Sequence, residues 1–219
     1  MYHILVYLES KMKLVELLNL NKMKYSDKIK PKHQNKMNME TEILENVEAP
    51  TRPFPENSSR ETRNELNWLI NINEGEIDKE WVKEGDNVIK IFKDYCKDNK
   101  LKFDEKYYEQ ILKESSKTIL KLKYHYNRPR PYQLAEYYGI KEFNNFKLPS
   151  MKTPSYPSGH STQGYLLGTL LGKKYTKHYN KFMELAEFIS KSRLMARAHY
   201  PSDCKFGKQL AMYLAGAIK

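Results

Sequence analysis

The chain has 219 residues, 40% of them hydrophobic and 30% charged, which suits one domain with a substantial core rather than two. Its longest apolar run, Tyr165 to Leu171, meets Lys173 and Lys174 long before the roughly 18 to 20 residues of a membrane helix. The net charge of +11 is spread along the whole chain as lysine. That pattern describes a solvated surface attractive to anions, and it lacks the dense basic stripe with interleaved aromatics of a nucleic-acid module.

Residues 1 to 48 read as an N-terminal extension, partly mobile. Met1 to Leu8 is apolar but has neither the basic start nor the cleavage site of a secretory signal, so the expected location is the cytoplasm. Leu14, Val15, Leu17, Leu18 and Leu20 suit one short helix, and the polar stretch Asn21 to Asn38 lacks periodicity and reads as mobile. Met37 and Met39 leave a later start open. Cys96 and Cys204 fit a reducing compartment, unpaired.

Pro50, Pro53 and Pro55 form a stiff linker into a helical domain over 49 to 219. Ser58 followed by Glu61 has the spacing of a capping box, starting a helix that runs to about Ile72 with Leu66, Leu69 and Ile70 inward. A second helix is expected over Glu76 to Lys97 and a third over Asp104 to about Tyr124, stopped by Pro129 and Pro131. After a loop to Tyr156 come helices over Ser158 to Lys174, Lys177 to Arg197 and Pro201 to Ile218. Gly164, Gly168 and Gly172 give the first of these a bare face for a neighbouring helix. Strand alternation is not evident, so the fold class is all-α: a bundle of about six core helices with its site at helix ends.

Three motifs carry chemistry. At the end of the third helix, lysine and arginine stand seven residues apart, two helical turns, and share a face. Lys121 with Arg128 and Lys123 with Arg130 both fit that spacing. Such pairs also arise by accident in a lysine-rich helix end. In the second motif, Pro157-Ser158-Gly159-His160 opens a helix. Free amides there suit an anion, although a plain serine cap with an incidental histidine has the same sequence. In the third, Ser192-Arg193 precedes His199 and Asp203 by a few residues. The arginine fork suits a phosphate, and a carboxylate four residues on can fix the imidazole tautomer; a core histidine satisfied by an acid is the plainer reading. The chain has seven arginines against 31 lysines, and Arg128, Arg130, Arg193 and Arg197 fall inside these motifs. Arginine in place of the default cation implies a need for its fork.

In combination, Lys-x6-Arg-Pro, Pro-Ser-Gly-His and Ser-Arg-x5-His-x3-Asp resemble the signature of the type 2 phosphatidic acid phosphatase superfamily, which also contains bacterial class A acid phosphatases and vanadium haloperoxidases. The likeness covers about residues 100 to 218, and more loosely the helices from Ser58. The Arg-x-Arg-Pro-aromatic context is similar to the class A enzymes, which favours Lys123 with Arg130 over Lys121 with Arg128. The resemblance implies a phosphatase in which His199 is the nucleophile, Asp203 orients it and His160 is the general acid. Lys123, Arg130, Ser158, Gly159 and Arg193 would then bind phosphate. It implies no metal and no resident cofactor, because three cations and a protonated His160 more than neutralise a phosphate dianion. Two histidines in opposite protonation states imply a bell-shaped pH profile with an acidic optimum.

The expected partner is a small phosphorylated substrate: a phosphomonoester, or else a diphosphate or lipid phosphate met at a membrane surface. Two rivals remain. One is a haloperoxidase that holds vanadate in the same pocket; known haloperoxidases of this kind are much longer. The other is a basic nucleic-acid-binding protein with a vestigial site. Tyr126, Tyr132, Tyr156 and Tyr200 either line the mouth of the pocket or pack.

Overall fold

The computed structural model describes residues 14–45, 47–72, 79–140, 143 and 146–218. The apolar run Met1 to Leu8 and the expected helix start at Glu76 lie outside them. Every regular element among the described residues is helical. These are α1 (residues 14–22), α2 (Pro31–Met37), α3 (Arg60–Ile70), α4 (Lys79–Glu84), α5 (Val88–Asp98), α6 (Glu105–Tyr126), α7 (Pro131–Ala135), α8 (Gly159–Lys174), α9 (Tyr179–Met195) and α10 (Pro201–Ala217), with single 3-10 turns at Pro149–Met151 and Thr176–His178. Six of them (α3, α5, α6, α8, α9 and α10) have at least 11 residues, in agreement with an all-α bundle of about six core helices.

Helix α8 is the hub. It packs chiefly on α9 and α10, with α5 and α6 on its remaining sides. Leu166, Leu167 and Leu171 are fully buried within it, among Phe92, Ile111, Phe182, Ile189, Leu210 and Leu214. The Gly164, Gly168, Gly172 face is where α9 lies. A Cβ on Gly168 would sit 2.9 Å from the Phe182 carbonyl oxygen, and one on Gly164 would sit 3.2 Å from Ile189. On the opposite side, a Cβ on Gly207 of α10 would meet the Ser158 carbonyl at 2.8 Å. Small residues therefore let α9 and α10 close on α8 and bring their site-bearing ends to its N-terminus.

Three local expectations need correction. The α3 cap is Ser59 rather than Ser58: its side chain accepts from the Thr62 amide. The helix expected over Glu76 to Lys97 breaks after Glu84. Gly85 lies so close to Ser192 that a Cβ would be 2.1 Å from its hydroxyl, and the Asn87 side chain accepts from the Lys90 amide to start α5 afresh. Finally, the stretch read as mobile contains α2, which packs on α6. His33 and Met37 of α2 are buried, and Tyr124 of α6 pairs with the His33 ring at 2.6 Å. Further along, the Glu114 carboxylate accepts from the Ile43 and Leu44 amides at 2.8 and 2.9 Å. A polar segment without periodicity is held here by single hydrogen bonds to the bundle.

Candidate active site

The three motifs meet where the C-terminal end of α6, the N-terminus of α8 and the turn between α9 and α10 converge. Asn127 ends α6 in a left-handed conformation (φ 48°), turning the chain sharply so that Arg130 points back toward Lys123. Ser158 caps α8 and accepts from Ser161, which leaves Gly159 and His160 in the first turn. Pro201 starts α10, with His199 just ahead of it and Asp203 inside its first turn.

A cavity of about 230 Å³ forms at this junction. Lys123, Arg130, Gly159, His160 and His199 all line it. Within it, His199 is held from both sides. Its Nδ1 lies 3.1 Å from Asp203 Oδ2, and its Nε2 lies 3.1 Å from Arg130 Nη1. A guanidinium only donates, so Nε2 must offer its lone pair and the proton must sit on Nδ1, donated to Asp203. The ring is thereby set as the neutral tautomer, with Nε2 held against Arg130 in the cavity wall. Ser155 donates to the same Asp203 oxygen in a short hydrogen bond. Arg130 is fixed further by the Thr153 and Ala198 carbonyls at 2.9 and 2.7 Å. Lys123 Nζ donates to the Pro154 and Ser155 carbonyls at 2.5 and 3.2 Å.

Residues 111–219 match the family model of the PAP2 superfamily, and that span contains all three motifs. This part of the chain is a PAP2 domain. Among solved structures, a bacterial vanadium-dependent iodoperoxidase matches with a TM-score of 0.58 and 15% identity, over 80% of this chain and 52% of that one. At that identity the likeness is one of fold, and the chain spans about half the length of that enzyme. No curated protein sequence matches. Members of the superfamily are phosphatases or haloperoxidases.

The two arginines of the first motif part company in the PAP2 domain. Arg128 is fully buried and faces away from the cavity: Nη1 donates to Asp203 Oδ1 at 2.6 Å and Nη2 to Glu65 Oε2 at 3.1 Å. Lys121 is exposed on another side of the molecule. Lys123 and Arg130 are the pair in the cavity wall. Ser158 and Arg193 are not brought to the cavity. The Ser158 hydroxyl is turned inward, taken up by Ser161. The Arg193 fork is filled by Asp86 Oδ1 at 2.5 Å and the Val82 carbonyl at 2.8 Å. Arg197 serves the fold, donating to the Leu69 and Ile70 carbonyls at the end of α3 and to the Ile72 carbonyl just beyond it. Tyr156 and Tyr200 are buried, with Tyr156 stacked on Phe206. None of the four motif tyrosines lines the cavity.

Asp86 is the residue that sequence reading missed. It stands in the α4–α5 break, ties down Arg193, and has Oδ1 and its carbonyl oxygen each 3.2 Å from His160 Nε2. The break is signalled by Gly85 followed by Asn87, a turn residue and a cap residue two positions apart. His33, also missed, lines the cavity from α2.

Electrostatics separate the two imidazoles. Burial, then the nearby Arg130 charge, push His199 well below the usual histidine range against the pull of Asp203. Burial also lowers His160, but its hydrogen bond to Asp86 works in the opposite direction. Burial, then Arg130, depress Lys123 strongly, and burial brings Arg130 down to about 10, still charged near neutrality. Burial disfavours a charged Asp203, but Arg128, His199 and Ser155 together hold its carboxyl below the ordinary range.

Proposed function

We propose that the protein is a phosphatase that hydrolyses phosphomonoesters through a phosphohistidine at His199. The observation that carries this reading is the fixed His199 ring: Asp203 on one nitrogen, and on the other a lone pair that accepts from Arg130 in the wall of a cavity also lined by Lys123. A nucleophile needs a lone pair, an orienting partner and charge complementary to the group it attacks, and a bound phosphate that draws the Arg130 fork to its own oxygens would release Nε2 for attack.

In the proposed reaction, Lys123, Arg130 and the Gly159 amide at the α8 N-terminus hold the non-bridging oxygens. His199 Nε2 attacks phosphorus in line, forming the N–P bond as the P–O ester bond breaks. Protonated His160 gives its proton to the departing alkoxide. His160, now neutral, takes a proton from water, which attacks phosphorus and breaks the N–P bond. Inorganic phosphate leaves, and both histidines return to their starting states. Asp86 positions His160, and Arg193 positions Asp86.

Hydrolysis of p-nitrophenyl phosphate with chelator present tests this reading. The wild type should turn over and trap acid-labile, base-stable phosphate on His199, and His199→Ala should do neither. Peroxide-dependent iodide oxidation in vanadate-loaded protein, with no ester hydrolysis, would favour the haloperoxidase reading instead.

A further inference from the structure

A larger, widely open depression of about 590 Å³ adjoins the first, and its Lys36 and Lys113 are exposed. The two share Lys36, Ser116, His160 and Gln163, so His160 stands on their common boundary. The second cavity is lined by Lys36 from α2, Lys83 from α4 and Lys113 from α6. Lys83 already pairs with Glu80 at 2.6 Å. Lys36 and Lys113 have no ion pair among the described residues. Asp86, the acid in this lining, is occupied by Arg193 and His160. Two uncompensated cations thus face open space beside the group that would protonate the leaving oxygen.

We infer that this second cavity is an anion subsite for the leaving portion of the substrate, with Lys36 and Lys113 as its specificity residues. The inference rests on the phosphatase reading and extends it. On that reading the phosphoryl group lies between His199 and His160, which both line the first cavity, so the alcohol departs past His160 into the lysine-lined cavity that shares this residue. A leaving group bearing its own carboxylate or phosphate gains a partner there, and an uncharged one gains none. The substrate class is therefore a phosphomonoester with a second anionic group on the alcohol. Lys36 comes from the N-terminal segment, outside residues 111–219, so α2 is part of how this chain selects its substrate.

Three aryl phosphates isolate the effect: phenyl phosphate, 4-carboxyphenyl phosphate and 1,4-phenylene bisphosphate. The readout is kcat/KM for each anionic substrate divided by that for phenyl phosphate. Comparing this ratio between wild type and variant cancels the intrinsic reactivity of each ester. Lys36→Gln with Lys113→Gln should lower the ratio about tenfold, as expected for losing a charge-assisted contact. Lys113→Glu should lower it further, and added salt should compress it. The carboxylate and bisphosphate arms show which second anion is preferred. An unchanged ratio in the variants, or no preference in the wild type, overturns the subsite. If no ester is hydrolysed, the phosphatase reading fails and the subsite is judged by calorimetric binding of 1,4-phenylene bisphosphate against inorganic phosphate. A preference for the bisphosphate that the double variant loses upholds the subsite; a preference that survives, or none at all, overturns it.

Discussion

Replacing Arg128 with Met should unfold the protein before it alters the chemistry. Arg128 is fully buried between Asp203, with no exposed side-chain surface, and Glu65, with 10% exposed, and its guanidinium also lies 3.8 Å from the Tyr200 ring centre. Methionine fills similar volume but strands two carboxylates in the core. Breaking a buried pair in this way costs about 3–5 kcal/mol. For a domain of this length, each kcal/mol moves the melting temperature by about 2–4 °C, so a fall of roughly 6–20 °C is expected. Arg130→Met strands no acid, since its partners are carbonyl oxygens and His199. It should keep most of the stability while kcat/KM falls about 10²–10³-fold, as when a preorganised charge on the transferring group is removed. Lys121→Met, at an exposed position, should stay within about 0.5 kcal/mol of wild type. Thermal and urea unfolding followed by circular dichroism, with p-nitrophenyl phosphate kinetics on the same samples, separate the three. An Arg128→Met protein that melts within about 2 °C of wild type, against the roughly 6–20 °C expected, would refute the division of labour between the two arginines.

The pH profile of kcat/KM should be a bell whose upper limb falls as His160 loses its proton. Burial lowers that histidine, so decline should begin below the ordinary histidine value of about 6.5; a flat profile between pH 4 and 9, a span about that value, would exclude paired histidine roles. Stability should move the opposite way on acidification. His160 and His199 both have folded pKa values below the unfolded value, so the unfolded chain binds more protons as pH drops below about 6.5, and their contribution is lost there. Burial raises Glu65, which gives a smaller trend of opposite sign above about pH 4.5. Melting temperatures measured from pH 7 to 5 should fall, and a rise would contradict buried neutral imidazoles. Gly168→Val should destabilise by about 1–3 kcal/mol, because the Phe182 carbonyl blocks its Cβ; urea midpoints at unchanged slope would show it.

The placement of the second and third motifs was readable because it is local. Ser158 to His160 and His199 to Asp203 each lie within one helical turn of a helix start, and both starts are announced by serine or proline. The arginine count was a sound guide to geometry and a poor one to ligand. Each motif arginine does use its planar fork, but Arg128 spends it on two carboxylates, Arg193 on Asp86 and a carbonyl, and Arg197 on the end of α3. A fork matches a carboxylate or paired carbonyls as well as a phosphate, so residue type cannot separate them. Asp86 and His33 were illegible for another reason. Each acts across more than 70 residues of sequence, and periodicity reports only on the turn in which a residue sits.

The same long-range contacts give the two imidazoles of one cavity different surroundings. His199 lies between a cation and an acid that is itself neutralised by Arg128, so burial and Arg130 dominate and the ring stays neutral. His160 borders the open second cavity, with 19% of its side chain exposed, and faces an Asp86 whose charge is shared with Arg193. The environments push the two imidazoles apart in proton affinity, with His199 the lower, and a nucleophile and an acid working at one pH require that order. Arg128 and Arg193, neither of which lines the cavity, set this order from behind it, so their substitution should reach the reaction through the histidines' titration rather than through lost contact with phosphate.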